Sequence, residues 1–271
     1  MKKKSLMHSI AAAPHVFWAI LFIILPLIIV LCYAFTDAEG NFSFENILGL
    51  SEYGNIFLLS IELSIIATLI CLVIGYPLAY IIAKMDAKKQ KFFIMLIMLP
   101  MWTNLLIRTY SIMAILDDGG FLNQLLNTEL HIIGTKGAVI FGMVYDFLPY
   151  MVLPIYTYIS KIPKNMWEAA SDLGCNPVSV ITKVIFPLSM SGVISGVTMV
   201  FVPSISTFFI SQSLSDGRIK LIGDVIEQHF NLATTASYNI GSALSMVMMI
   251  LILISMFIMN KLGDDDGGVV V

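Results

Sequence analysis

KIPKNMWEAASDLGCNPVSVITKVIFP, residues 161–187, is a polar stretch set between two long apolar runs. Asn165 followed by Glu168 fits a helix N-cap with its N3 partner, an Asn form of the capping box. Met166 to Leu173 make about two turns. Gly174 stands where a left-handed C-cap is expected. Asn176 is placed to cap a second helix, and Pro177 suits its first turn. Pro187 ends that helix and opens the next apolar run. Two short helices at an angle, on the surface of a membrane protein, form a rigid knob suited to docking another protein.

The setting of this knob follows from composition. The chain has 271 residues, is 58% hydrophobic and 12% charged, and has a mean hydropathy of +0.89. The charged share is about half that of soluble domains. A net charge of -3 argues against a nucleic-acid partner. Cys32, Cys71 and Cys175 show no metal or CxxC spacing. Lys2, Lys3 and Lys4 precede the first apolar run as in a signal peptide. That run is too long for an h-region and no small-residue cleavage site follows, so it reads as an uncleaved span.

A helix needs about 20 apolar residues to cross a bilayer. Six runs qualify, roughly 14–35, 57–83, 92–116, 137–160, 188–212 and 240–261. Lipid leaves the backbone no partner outside helices or closed barrels, so all six are expected to be helical. The expected organisation is an N-terminal segment 1–13, a six-helix membrane domain 14–262 that includes the 161–187 loop, and a disordered tail 263–271. Pro26, Pro77, Pro100, Pro149, Pro154 and Pro203 lie in or at the ends of the runs and predict kinks.

Lysine distribution sets the orientation. With the N-terminus inside, inner segments carry eleven lysines and outer loops three basic residues, Lys136, Arg218 and Lys220. Both termini and the 161–187 loop are then cytoplasmic. The outer loops, 36–56, 117–136 and 213–239, hold ten acids. Either acids accumulate where bases are excluded, or the mouth concentrates a cationic solute.

Three charges fall within spans: Glu62, Arg108 and Asp146. Charges at that depth face a cavity or a partner. At ~1.5 Å per residue, Arg108 lies ~12 Å and Asp146 ~14 Å below the outer ends of their runs. Equal depth predicts a pair, either for packing or beside a solute path. Asn104, Arg108 and Ser111 share a helical face by spacing. Gly192 and Gly196 form a GxxxG pair that allows close helix packing, with a partner subunit as one candidate. Ser204, Phe208 and Phe209 follow Pro203 and fit either a wet path or interhelical bonding. No GxxxxGK[ST], HExxH or GxSxG stretch occurs, so no catalytic group, metal site or ATP-binding loop is expected here.

Glu168-Ala169-Ala170, Gly174 separated by nine residues from Val184, and Phe186-Pro187 resemble the EAA loop of ABC importer permeases. The family pattern has Ile and Leu where Val184 and Phe186 stand. The resemblance implies that Glu168, Ala169, Ala170, Asp172, Gly174 and Pro187 couple the chain to a cytoplasmic ATPase. It extends over nearly the whole chain. LPMWTNLLIRTYSIMAIL (Leu99 to Leu116), DDGGFLNQLL, DFLPYMVLPIYTYI and FVPSISTFFISQSLSDGRIKLIGDVIEQHF are similar to segments of the polyamine-type permeases of the type I ABC importers. That family implies an all-α, six-span fold in the cell membrane. It also implies a second permease, an ATPase dimer that holds ATP and Mg, and an extracytoplasmic binding protein; this chain itself would carry no cofactor.

Polyamine chemistry matches some of these residues. Ammonium groups suit the carboxylates of Asp117, Asp118 and Asp146. Aromatic faces at Trp102, Tyr110, Tyr145, Tyr150, Phe208 and Phe209 suit both charge and methylenes. Relatives for ferric iron, sulfate, opines or phosphonates share the scaffold, and an anion carrier would use Arg108 as a ligand. A secondary transporter predicts inverted repeats and a broken-helix ion site, and neither is evident in the sequence.

Overall fold

The computed structural model describes residues 13–37, 39–128, 130–163, 165–166, 176–232 and 234–264. Among them the chain is helical, and the one bridge of strand type joins Thr36 to Phe42. It forms two compact units. One combines residues 1–54 with 225–251, the other 55–224 with 252–271.

The first unit contains α1 (Ala13–Ala34). A wide π turn, Ile20–Ile24, interrupts it just before Pro26. Proline has no N–H and its ring crowds the carbonyl four residues back, so the wider turn gives the ring room. In the loop that follows, the Asp37 carboxylate accepts from the backbone of Glu39 at 2.9 Å and Asn41 at 2.8 Å. The Asn41 N–H, foremost, holds the Asp37 pKa below its ordinary value. Phe35, Phe42 and Phe44 cluster with centroids 5.1–5.9 Å apart.

The second unit holds most of α2 (Gly54–Lys84) and α3 (Ala87–Met98). It continues with α4 (Leu105–Leu116), the short α5 (Phe121–Leu126) and α6 (Lys136–Ile159). Then come α7 (177–188), α8 (Met190–Ser206) and α9 (Phe209–Leu214). Helices α10 (Ile222–Asn231) and α11 (Thr235–Asp264) run from one unit into the other. The core of the second unit centres on α6, whose Met143, Met151, Val152, Ile155 and Ile159 are fully buried.

Helix α6 packs most extensively on α8. A Cβ at Gly192 would lie 2.9 Å from Tyr158 Cβ, and one at Gly196 2.9 Å from Met151 Sδ. The GxxxG pair therefore serves this intrachain contact. The subunit contact expected as a candidate is corrected, because both glycines are buried against α6.

Among the described residues, four helices are long and apolar enough to cross a membrane, and two bent pairs complete the six if each pair crosses once. The first bend falls at Pro100, where a kink is expected, and the second at Ser189, at the start of the run 188–212. Residues 87–102 and 105–126 meet at 93°, and residues 178–188 and 190–206 at 74°. Pro100 sits in a 3-10 turn, Leu99–Trp102, after which Thr103 and Asn104 are extended. Asn104 Oδ1 accepts from Leu106 N at 2.8 Å and starts α4 afresh. Asn104 is thus a cap, not a member of a polar stripe. Ser111 is exposed and donates to Ile107 O at 2.7 Å, whereas Arg108 is buried.

Candidate functional site

Arg108 on α4 and Asp146 on α6 meet inside the second unit. Nε lies 3.3 Å from Oδ1, with side chains 9% and 0% exposed. The pairing expected from equal depth is present. Thr109 completes it. Its hydroxyl lies 3.0 Å from Leu105 O and 3.4 Å from Asp146 Oδ2, sharing one proton between them. The Arg108–Asp146 contact is an ion pair without an aligned hydrogen bond, for Arg108 Nε, Arg108 Nη1 and Asp146 Oδ1 have no such bond among the described residues. Glu62, the other candidate partner for Arg108, instead meets Lys136 at 3.3 Å, both half exposed.

Several aromatic candidates lie on this unit's surface. Trp102 is 74% exposed, beside the break before α4, and Tyr110 is 53% exposed on α4 itself. The Tyr110 ring meets Phe209 edge-on at 5.3 Å. Helix α8 stops at Ser206, Thr207 is extended, and α9 begins at Phe209. This interruption presents Phe208, 42% exposed. Tyr145 is exposed while Tyr150 is half-buried against Phe147. Ser204 is wholly buried and donates to Phe201 O at 2.8 Å.

Asp117 and Asp118 follow α4 and are exposed. Asp118 pairs with His131 Nδ1 at 2.9 Å. Buried Asn123 holds the turn, donating to Asp117 O, Asp118 O and Leu130 O at 3.0–3.3 Å and accepting from Leu130 N at 3.0 Å.

The polar loop is described in part. Glu168, Ala169, Ala170, Asp172 and Gly174 lie outside the described residues. Its second half follows the expected punctuation, since Asn176 Oδ1 accepts from Ser179 N at 2.7 Å and starts α7. Pro187 does not end that helix as expected. It follows a π turn, Ile181–Ile185, at the spacing seen for Pro26, and the chain turns two residues later at Ser189. Sequence reasoning missed Thr109, Ser189 and the role of Asn104 as a cap. A β-branched hydroxyl next to the buried arginine was the available signal for Thr109.

Apolar helices, two breaks, and a buried charge pair define a multi-pass helical membrane protein. The chain belongs to the family of binding-protein-dependent transport system inner membrane components, which it matches over residues 75–264. It is similar to the spermidine/putrescine transport system permease protein PotB of Haemophilus influenzae. The two are 34% identical over 255 residues, 89% of this chain and 88% of that protein. Against PotB of Escherichia coli identity is 36% over 227 residues, 79% of this chain and 82% of the other. Among solved structures, a chain of a bacterial alginate ABC transporter in complex with an alginate pentasaccharide-bound periplasmic protein matches with a TM-score of 0.78. That match has 17% identity and covers 100% and 98% of the two chains. A chain of the MetNI methionine ABC transporter, inward facing, matches with a TM-score of 0.61 and 14% identity, covering 82% and 98%. The fold is that of a type I ABC importer permease.

Proposed function

We propose that this chain is the permease subunit through which an ABC importer passes polyamines, spermidine or putrescine, across the cytoplasmic membrane. Identity of 34–36% to spermidine/putrescine permeases over most of the chain carries this reading. Burial of Arg108 against Asp146 agrees with it, because a neutralised guanidinium does not repel a cation. The aromatic faces of Trp102, Tyr110, Tyr145 and Phe208 and the acids Asp117 and Asp118 are the candidate contacts for a methylene chain with ammonium ends. Both termini and the 161–187 loop face the cytoplasm, as the lysine distribution supports. There Glu168, Ala169, Ala170, Asp172, Gly174 and Pro187 meet an ATPase dimer that holds ATP and Mg. A second permease and an extracytoplasmic binding protein complete the assembly, and this chain performs no hydrolysis itself.

Pull-down of this chain from its native membranes and uptake of labelled spermidine test the reading together. An ATPase and a second permease are expected to co-purify, and excess putrescine but not sulfate to compete for uptake. Glu168→Lys is expected to abolish uptake while the chain still inserts. Sulfate uptake that Arg108→Ala abolishes in an intact complex would replace the polyamine reading with an anion carrier.

A further inference from the structure

Two tyrosine hydroxyls bracket the 161–187 loop. Three residues before the end of α6, Tyr156 OH donates to Gln90 Oε1 at 3.0 Å. Just after the loop, at the 74° bend, Ser189 Oγ lies 3.0 Å from Tyr76 OH. Ser189 Oγ also lies 3.2 Å from Phe186 O, and when its proton goes there Tyr76 donates to Ser189. The Tyr76 ring also lies 5.3 Å from that of Phe186. Tyr76 belongs to α2, and Gln90 is bound to the end of α2. The Gln90 amide donates to Ala83 O at 3.0 Å and Met85 O at 2.7 Å, satisfying carbonyls that the helix end leaves open. The flank before the loop is therefore bonded to Gln90 of α3, which also caps the end of α2, and the flank after it to Tyr76 of α2, across 66 and 113 residues of sequence. Hydrophobic packing alone would let these elements slide; two directional bonds at opposite flanks do not.

We propose that Tyr156 with Gln90, and Tyr76 with Ser189, are positioning residues that make the end of α2 and the two flanks of the coupling loop move together when the ATPase acts. This rests on the coupling role given to the loop above. The residues touch neither solute nor nucleotide; they set how much loop displacement reaches the membrane helices.

The test uses the whole transporter with its ATPase in proteoliposomes. Tyr156→Phe and Tyr76→Phe each remove one hydroxyl and keep the ring, and Tyr156→Phe leaves the Gln90 cap of α2 intact. Each is expected to lower spermidine imported per ATP hydrolysed about fivefold, the factor that one net hydrogen bond corresponds to. The recovered complex should hold as much ATPase as before. Gln90→Glu is the complement. It keeps an acceptor for Tyr156 but loses both donors that tie this position to α2, so it should lower the ratio and the yield of complex alike.

A second measurement does not need the solute. Spin labels at positions 87 and 160, in a background without the native cysteines, report the distance between the α2–α3 turn and the loop flank. ATP should leave it unchanged in the parent and in Gln90→Glu, and broaden it in Tyr156→Phe. A parent chain that holds no ATPase ends the coupling reading and this inference together. A parent that holds it, with ratio and distance unaltered in both tyrosine variants, ends this inference alone.

Discussion

Two ion pairs reach helix α6, each at 3.3 Å, and they are physically different objects. Near its start Lys136 meets Glu62 of α2, with each side chain 52% exposed. Ten residues on, Asp146 meets Arg108 of α4, sealed from solvent. Distance alone does not separate them. An exposed pair gains little, because water and salt screen it and two long side chains must be ordered. A buried pair has lost the hydration of both charges, so removal of one partner strands the other. The buried pair therefore constrains which helices lie together, while the exposed pair only decorates a contact that packing maintains.

Exchanging the charges separates the two most sharply. Arg108→Asp with Asp146→Arg keeps the net charge, yet places a guanidinium at a fully buried position and removes the carboxylate that Thr109 serves. Recovery of intact protein is expected to fall below detection in size-exclusion profiles. Glu62→Lys with Lys136→Glu is expected to be recovered at parental levels. Equal tolerance of both exchanges would break the distinction.

Arg108→Ala comes next in size, at about 3–5 kcal/mol of stability, read as a lower thermal unfolding midpoint in detergent. Adding Asp146→Ala should restore part of the loss, since the double variant leaves no stranded charge. A double variant worse than either single one would mean that the pair does more than compensate itself. Thr109→Val, which removes one shared hydroxyl at nearly constant volume, should cost about 1 kcal/mol by the same measurement. Glu62→Gln is the smallest change, about 1 kcal/mol or less. The parental advantage over it should vanish at high salt, whereas that over Arg108→Ala should persist.

The two breaks show how far a local reading reaches. Pro100 and Asn104 carry a stop and a start within five residues, and the structure uses both to turn the chain by 93°. Hydropathy nonetheless runs unbroken through them, because solvation does not register backbone direction. At the second break Pro187 was visible, but the turn falls at Ser189. The π turn before Pro187 absorbs the missing donor and carries the helix past it. Asn176 was readable as a cap, since capping is decided by residues three apart.

The sequence by itself determined the membrane setting, the six apolar segments, the small-residue seam at Gly192 and Gly196, and the family. Each of these depends on composition, on spacing within one helix, or on a contiguous motif. Only the tertiary structure decided that the expected Arg108–Asp146 pair forms by burial while Glu62 goes to Lys136, that the glycine seam receives α6, and that Tyr76 and Tyr156 reach Ser189 and Gln90. The reason is that a hydrogen bond or ion pair is selected over distances of a few ångströms, between residues up to 113 apart in the chain. Packing sets those distances, and the local periodicity of any single helix is silent about them.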